Sequence, residues 1–464
     1  MHTLQWRFNS NTKLALKVAI ALCCAIFLAL LFELQKPYWS AMAVHVLAIS
    51  ETLHSGKRKG LMRLIGTLSG SLIGIITIAV FPQQPLYFLM FTVTLFALCN
   101  YAGSDNVWGY AFIITFMVYL IVVVIGGLDS SATINIAILR MQETLLGVVV
   151  YSVIFSILWP DNDEQQFSHD IDIIYKSADS LRQLIRQHPE KTSYHLDSFV
   201  REPYHDQDLA DFLATPKLNI ITPSRKNRSH ENKLKAAWVT KHLTTRAHQQ
   251  GIDKNHLEIL DLALSFLHQT KVSDQSVLSL PRLVKDFYHL NKTPNPSFLD
   301  RLIDNWRTRF CKTLVGTVSL VTAILMWLYI PVPSGTMFVL NMSICAILLS
   351  NMPQQMIKHW FVGYTFFGVI FLAQYVFILP ELTEVYQLLL FYAINIFIIY
   401  KSFSTIQWFI YKVLGGNLLL MMTMTATQQS PSYDIVTPLY MLVYTFLALA
   451  ILRIYLNLFT TANT

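Results

Sequence analysis

Charged residues are scarce in this chain, and so are catalytic signatures. Only 14% of the 464 residues are Asp, Glu, Lys or Arg, whereas 53% are hydrophobic. This balance excludes an ordinary soluble globular protein. The five cysteines lie in or beside apolar stretches and keep no metal-ligand spacing, which predicts packing residues and no metal site.

The motifs of nucleotide-driven and hydrolytic enzymes are missing as well. The sequence contains no phosphate loop of the form GxxxxGKS or GxxxxGKT, and no GxSxG nucleophile turn. We therefore do not expect an enzyme, a bound cofactor, a nucleic-acid partner or ATP-driven transport by this chain alone. Function should depend on polar residues that lie within apolar segments.

Long apolar runs are what the chain has in abundance, and such runs are typical of helices that cross a bilayer. The first half of the chain contains six of them and the second half six more. Their expected bounds are 14–33, 38–50, 62–81, 86–101, 109–127, 142–159, 312–330, 336–351, 358–379, 385–400, 406–426 and 437–459. The sequence therefore predicts an all-α polytopic membrane protein.

A hydrophilic block separates the two sets of spans. Residues 160–312 hold 22 of the 35 lysines and arginines. The short loops agree with this block, because their basic residues fall on the same side of the membrane: Lys57, Arg58, Lys59, Lys358, Lys401 and Lys412. The positive-inside rule, which counts short loops, therefore predicts a cytoplasmic block and cytoplasmic termini. We expect a transmembrane half at 1–160, a mainly helical cytoplasmic domain at 161–309 and a second transmembrane half at 310–464.

The spacing of cations predicts that the two halves are repeats. Lys17 and Lys312 each begin a span, and they are 295 positions apart, as are Arg63 and Lys358. Because six spans and an internal loop leave both halves in the same orientation, the repeat should be parallel, as in one class of transporters.

The stretch from Pro37 to Gly74 carries the densest pattern. A short apolar helix leads to a basic hairpin at 57–59, and the next helix has Gly66, Gly70 and Gly74 along one face. Small residues at this spacing let helices pack closely in lipid. The stripe fits packing within one chain or between two, so a homo-oligomer stays open.

Ionisable groups within spans cost about 2.5–3.5 kcal/mol each on insertion scales, so they indicate a use. Four cations have two interpretations: side chains that extend to the membrane surface, or groups that attract an anionic substrate. These cations are Lys17, Arg63, Lys312 and Lys358.

Three further ionisable residues also have two interpretations. His45 lies in the middle of the short second helix. It is interpreted either as a packing residue held by hydrogen bonds, or as a proton carrier or anion contact. Arg140 and Glu143 open the sixth span at i and i+3, where they can pair. The alternative makes Arg140 an anion contact and Glu143 a proton-linked carboxylate.

Several motifs resemble the fusaric acid resistance and aromatic acid exporter family. They are KPYW at the second span, RLIGTLSGSLIG in the third and RMQETLLGVVVYSVIFSILWP in the sixth. The resemblance covers both membrane halves. The positions that match by motif are Trp39, Arg63, Gly66, Gly70, Arg140, Glu143 and Gly147. The last span lacks the Arg-x-x-Glu-x-x-x-Gly pattern of the sixth, which weakens the case for two equivalent sites.

The resemblance implies a multi-pass protein of the bacterial inner membrane that exports aromatic carboxylic acids or related toxic organic anions, driven by the proton gradient. It also implies a periplasmic adaptor protein as a partner. The residues alone leave three other functions open: a passive organic-anion channel, an envelope assembly or stress factor, and a membrane enzyme.

Overall fold

The computed structural model describes residues 9–50, 53–105, 107–127, 129–159, 298–303, 306–352 and 356–461. All regular structure in these residues is helical, which confirms the prediction of an all-α membrane protein. The helices are α1 (Ser10–Leu31), α2 (Tyr38–Ala48), α3 (Leu53–Val80), α4 (Pro85–Gly103), α5 (Gly109–Gly126), α6 (Ser130–Ile157), α7 (Phe298–Ile303), α8 (Trp306–Tyr329), α9 (Gly335–Leu349), α10 (Met356–Phe377), α11 (Val385–Ser402), α12 (Phe409–Met422) and α13 (Val436–Thr461).

Nine helices among the described residues are long and apolar enough to cross a membrane. Three others, α2, α9 and α12, are apolar but have only 11, 15 and 14 residues. At about 1.5 Å per residue, α2 covers roughly half of a 30 Å hydrocarbon core. Nearly all of its residues are buried, and burial within protein is where interrupted helices are tolerated in a membrane.

The expected basic hairpin at 57–59 is wrong, because α3 already begins at Leu53 and includes these residues. Lys and Arg are good helix formers, so a polar stretch can continue a helix as well as interrupt it. Gly56 and Gly60 lie in the same segment and face α6, where an added Cβ at Gly60 would lie 3.1 Å from Cγ1 of Val148. Tertiary packing thus supports a helical segment that hydropathy alone assigned to a loop.

The expected start of the sixth span at residue 142 is also wrong. α6 begins at Ser130, where the Asp129 side chain accepts a hydrogen bond from the Ser131 amide and caps the helix. Arg140 and Glu143 therefore lie well inside a 28-residue helix, not at its mouth. Because the first turns of α6 contain polar residues, hydropathy alone does not assign them to the span.

Three different faces run along α3. Exposed apolar side chains suited to lipid form one face: Leu61, Ile65, Leu68, Leu72 and Ile76. Gly66, Gly70 and Gly74 form a second face against α5, and a Cβ added at Gly66 would lie 2.7 Å from the carbonyl oxygen of Ala111. Polar residues form the third face.

The two membrane halves pack against each other reciprocally, and both belong to one compact unit. The first helix of each half packs on the fourth helix of the other, as α1 on α11 and α8 on α4. The second helix of each half likewise packs on the fifth of the other, as α2 on α12 and α9 on α5. Asn100 on α4 and Asn395 on α11 are also 295 positions apart. The parallel repeat stays a prediction, which this reciprocity supports.

The described helices do not include the hydrophilic block between the two membrane halves. Almost all of the expected cytoplasmic domain at 161–309 lies outside the described residues. Apolar residues at helical spacing also predict a helix at 167–186, and a basic stretch predicts an exposed linker at 216–230. Both segments lie outside the described residues.

Candidate anion site

Arg140 is the centre of a polar cluster inside the first membrane half. Its side chain is 5% exposed, and the guanidinium carbon lies 4.0 Å from the ring centroid of Trp39 on α2. A cation stacked on an indole in this way is held in orientation. Within the described part of the chain, Arg140 makes no hydrogen bond, and its Nε is buried without a partner. The described residues therefore leave the donors of this buried guanidinium without an acceptor.

Glu143 joins α6 to the link between α1 and α2. Its Oε1 accepts a hydrogen bond of 2.9 Å from the backbone amide of Lys36. Its Oε2 is buried and has no partner among the described residues. In this part of the structure no direct ion pair joins Arg140 to Glu143, so the two act on each other only through the field. Glu143 thus fixes the link and keeps one oxygen available.

Lys36 and Arg63 bring two more cations to this cluster. The Lys36 ammonium lies 5.3 Å from the ring centroid of Trp39, the same ring that Arg140 covers. The Arg63 guanidinium on α3 is 6% exposed and donates a hydrogen bond of 3.1 Å to the hydroxyl of Tyr110 on α5. It lies close enough to Arg140 to repel it.

The charges of this cluster do not balance. Three cations (Lys36, Arg63 and Arg140) accompany a single carboxylate, Glu143. Burial lowers the pKa of Lys36 below its usual range, with Glu143 opposing this effect and Arg140 adding to it. Unpaired charge away from water is unfavourable, so the cluster is complementary to a small anion. A planar guanidinium suits a carboxylate, which it can bind through two parallel hydrogen bonds.

His45 does not belong to this cluster. Its side chain is fully buried between the two halves, with Nε2 3.2 Å from the carbonyl oxygen of Val413 and Nδ1 3.0 Å from the hydroxyl of Tyr400. One tautomer satisfies both contacts: Nε2–H donates to the carbonyl while Nδ1 accepts from the tyrosine. This arrangement is that of a packing histidine at the interface of the halves.

The remaining predicted cations are dispersed. Lys17 is 2% exposed, and its ammonium lies 5.6 Å from the ring centroid of Phe155. Lys312 donates to the backbone carbonyl of Asn351 at 3.5 Å, and Lys358 is exposed. Arg63 and Lys358, which the predicted repeat would relate, therefore differ in environment.

Gly147 packs the cluster-bearing helix onto the short helix. A Cβ added there would lie 2.5 Å from the carbonyl oxygen of Ser40 and 2.7 Å from Cβ of Ala43. α6 and α2 thus approach backbone to backbone, one turn from Glu143. This contact brings Trp39 within reach of Arg140.

The second membrane half has a neutral contact of similar form, at residues that do not keep the 295-position offset. Met441 and Tyr444 on α13 keep the i, i+3 spacing of Arg140 and Glu143 on α6. The Tyr444 hydroxyl donates to the carbonyl of Pro333, in the link between α8 and α9. Glu143 makes the equivalent contact to the link between α1 and α2. Among the described residues, the charged version of this contact occurs in the first half.

Lys36 and Tyr110 are the members of the cluster that sequence reasoning missed. Lys36 precedes Pro37 in the KPYW motif, so its position beside Trp39 was a usable signal. Tyr110 carried no signal, because its role depends on how α5 packs against α3. No group of three His, Cys, Asp or Glu side chains that could hold a metal occurs in the described ranges.

Comparison with known proteins matches the region that holds this cluster. The model of the fusaric acid resistance protein family matches residues 12–220. A p-hydroxybenzoic acid efflux pump subunit AaeB from Escherichia fergusonii is 24% identical in an alignment of 194 residues that covers 39% of this chain and 29% of the relative. Proteins of the same name from Yersinia enterocolitica and Shigella boydii are 26% and 22% identical, each over 192 residues with the same coverage. The matched region thus spans less than a third of the length of these relatives.

Proposed function

We propose that this chain, which is related to the fusaric acid resistance protein family over residues 12–220, is an efflux transporter for aromatic carboxylic acids or related organic anions. The cluster of Lys36, Trp39, Arg63, Arg140 and Glu143 is the place where the anion binds. The names of the relatives support a transporter instead of an enzyme. The nine long apolar helices of the described residues support a multi-pass protein of the bacterial inner membrane.

A single observation carries this proposal: Arg140 is buried on a membrane-spanning helix, and it donates no hydrogen bond to a described residue. A charge in that setting is retained for use or is paired. The carboxylate of an organic anion supplies the missing acceptor. Because hydrogen bonds to charged groups contribute about 1.5–3 kcal/mol each, one such contact is worth about ten- to a hundredfold in affinity.

Glu143 gives the site a route to proton coupling. Because the gradient drives protons into the cell, coupled export requires the proton and the anion to move in opposite directions. After the anion has left on the outside, Glu143 would take up a proton there and release it to the cytoplasm before the next anion binds. Coupling of this kind distinguishes a driven exporter from the alternative, a passive organic-anion channel.

The experiment measures accumulation of radiolabelled 4-hydroxybenzoate in bacterial cells that lack their own exporter. Cells producing the wild-type protein should accumulate less label than cells carrying the empty vector. Cells producing Arg140→Gln should accumulate as much label as the cells with the empty vector. Lys358→Gln is the matched control, because it removes the exposed counterpart of Arg63 and should export normally. Equal accumulation in wild-type and empty cells would contradict the proposed function.

A protonophore added to the same cells separates the two transport mechanisms. Export that stops when the gradient collapses fits the proton-driven exporter, while efflux that continues down the concentration gradient favours the channel. If the protein is instead an envelope assembly or stress factor, it should bind a protein partner and leave the accumulation of labelled 4-hydroxybenzoate unchanged.

A periplasmic adaptor protein is part of the same proposal, since the relatives are named as pump subunits. Affinity purification of the full chain from membranes, followed by identification of the bound proteins, tests it. We also propose cytoplasmic termini, domain boundaries at 160 and 309, and a parallel repeat of the two membrane halves.

A further inference from the structure

Two groups of buried hydrogen bonds join the membrane halves, and we call them the Asn100 node and the His45 node. In the first, the side-chain oxygen of Asn100 on α4 accepts hydrogen bonds of 3.1 Å from the Ser350 hydroxyl and 3.0 Å from the Asn351 side-chain amide, just beyond α9. In the second, His45 on α2 contacts the Tyr400 hydroxyl on α11 and a backbone carbonyl of α12. Asn100, Ser350, His45 and Tyr400 are at most 1% exposed, so both nodes cross between the halves in the protein interior.

Both nodes lie at the end of the bundle where the hydrophilic block joins it. The block follows α6 and precedes α7 in the chain. Beside Asn100, Tyr101 donates a hydrogen bond of 2.7 Å to the carbonyl of Leu302 on α7. Soon after His45 the chain enters α3, whose first turns lie against Tyr151 near the end of α6. The halves are thus tied at the end that carries the block.

Toward the opposite end the described contacts between the halves are weaker. The Cys23 thiol on α1 donates to the carbonyl of Leu389 on α11 at 3.2 Å, and thiols are weak donors. Apolar side chains of both halves, such as Phe96 and Leu320, share one buried cluster. Lipid is as apolar as these side chains, whereas hydrogen bonds between helices do attract in a membrane. The two nodes therefore help to hold the halves in this arrangement.

The end that carries the nodes also contains polar atoms without a partner. The Nδ2 of Asn100 is buried with no hydrogen-bond partner among the described residues, and so is the hydroxyl of Ser50, just over one turn beyond His45. Nδ2 faces the bare backbone of Gly316 on α8, where an added Cβ would lie 2.6 Å from it. Buried polar atoms without a partner are costly, and water would satisfy them once the halves part. The nodes thus favour closure, while these two atoms favour opening.

The position related to Asn100 by the 295-residue offset shows that such a tie is not automatic. The side-chain amide of Asn395 on α11 donates to the carbonyl of Phe391, four positions earlier on the same helix, at 3.0 Å. The interface of α11 with the first half is tied by Tyr400 and His45 instead. The two interfaces therefore reach a polar tie at the same end with different residues.

We infer that the Asn100 node and the His45 node are latches: the membrane halves part at the end that carries the hydrophilic block when these hydrogen bonds break, and they close when the bonds form again. The inference rests on the proposed function and deepens it, because it names where the interior opens for an anion that arrives from the side of the block. Two conformations that differ by a few hydrogen bonds are close enough in free energy for a ligand to shift their populations.

The test is the rate at which Cys99 reacts with N-ethylmaleimide in the full chain purified in detergent, without any substrate. Mass spectrometry of the resulting peptides measures Cys99 separately from the other cysteines. Cys99 precedes Asn100, is 4% exposed and belongs to the apolar cluster that spans both halves. Parting of the halves should therefore expose its thiol.

Three variants weaken the latches, and one is a matched control. Asn100→Leu and Ser350→Ala weaken the Asn100 node, while Tyr400→Phe weakens the His45 node in the other interface. Thr92→Val is the control, because it lies on α4 like Cys99 and removes a buried hydrogen bond of 2.8 Å to Tyr119 within the first half. Thermal unfolding checks that each variant is folded, and Ser350→Ala replaces Asn100→Leu if the latter is not.

Loss of one latch hydrogen bond should raise the open fraction, and with it the labelling rate, by about fivefold to tenfold. The increase should occur in Tyr400→Phe as well, although Tyr400 lies in the other interface, whereas Thr92→Val should be labelled at the wild-type rate. Unchanged labelling in Tyr400→Phe would overturn the inference, since the two nodes would not control one opening. An equal increase in Thr92→Val would overturn it too, since labelling would then measure general loosening. Both results leave the proposed function standing, because the accumulation of 4-hydroxybenzoate tests that separately.

Discussion

Gly66 and Gly74 provide a prediction about stability that does not depend on any function. Both lie on the face of α3 that packs against α5, and they are two helical turns apart. A Cβ added at Gly66 would lie 2.7 Å from the backbone carbonyl oxygen of Ala111 and 2.9 Å from Cβ of Ile114. A Cβ added at Gly74 would lie 3.0 Å from a side-chain methyl of Val122. The backbone contact cannot be relieved by a rotamer change, whereas the methyl contact can.

The magnitude follows from two opposing terms. Replacing glycine by alanine within a helix stabilises it by about 0.5–1 kcal/mol. Overpacking a closely fitted contact costs about 1–3 kcal/mol, and at Gly66 the two helices must separate to relieve it. We therefore expect Gly66→Ala to be less stable than wild type by about 1–2 kcal/mol. Gly74→Ala should lie within about 0.5 kcal/mol of wild type, since both terms nearly cancel.

The assay is unfolding of the detergent-purified chain by a denaturing detergent, followed by circular dichroism at helical wavelengths. The two variants carry the same substitution on the same helix face, so solubilisation affects them alike. A Gly66→Ala variant as stable as Gly74→Ala would refute the claim that α3 and α5 meet backbone to backbone at this point.

Two further predictions concern Lys36 and His45. Because burial lowers the pKa of Lys36, its positive charge is lost earlier than for an ordinary lysine as pH rises, so benzoate affinity should fall on the alkaline side of neutral. Titration calorimetry at several pH values should find this fall in wild type and a weaker one in Lys36→Gln; equal slopes would contradict a role for Lys36 in binding. Tyr400→Phe removes the buried donor to His45 and should cost about 1–3 kcal/mol of stability. Tyr411→Phe removes an exposed hydroxyl near His359 and should leave stability nearly unchanged, because water replaces that hydroxyl. Thermal unfolding compares the two variants. If Tyr411→Phe were the less stable one, the hydrogen bond between Tyr400 and His45 would not contribute to stability as described.

Within the described residues, the sequence by itself determined the number and order of the apolar helices, because a run of apolar residues long enough for a bilayer has few alternatives to a helix. It also identified Trp39, Arg63, Arg140 and Glu143 as residues worth following, since charged and motif-bearing positions stand out in apolar surroundings. It misplaced the starts of α3 and α6, where polar first turns are compatible with either a loop or a helix that packs on protein.

Only the tertiary structure decided which of these residues meet. Lys36 binds Glu143 across 107 positions of sequence, and His45 meets Tyr400 across 355, distances over which helical periodicity carries no information. It separated Lys17, His45, Lys312 and Lys358 from Arg140, although all five had looked alike as ionisable groups in or beside spans. It also distinguished Asn100, which bonds across the halves, from Asn395, which bonds within its own helix, because the partner of a side-chain amide depends on its rotamer and on the helix that it faces. The order of helices is a local property of the chain, while the composition of a polar cluster is set by packing between segments that are remote in sequence.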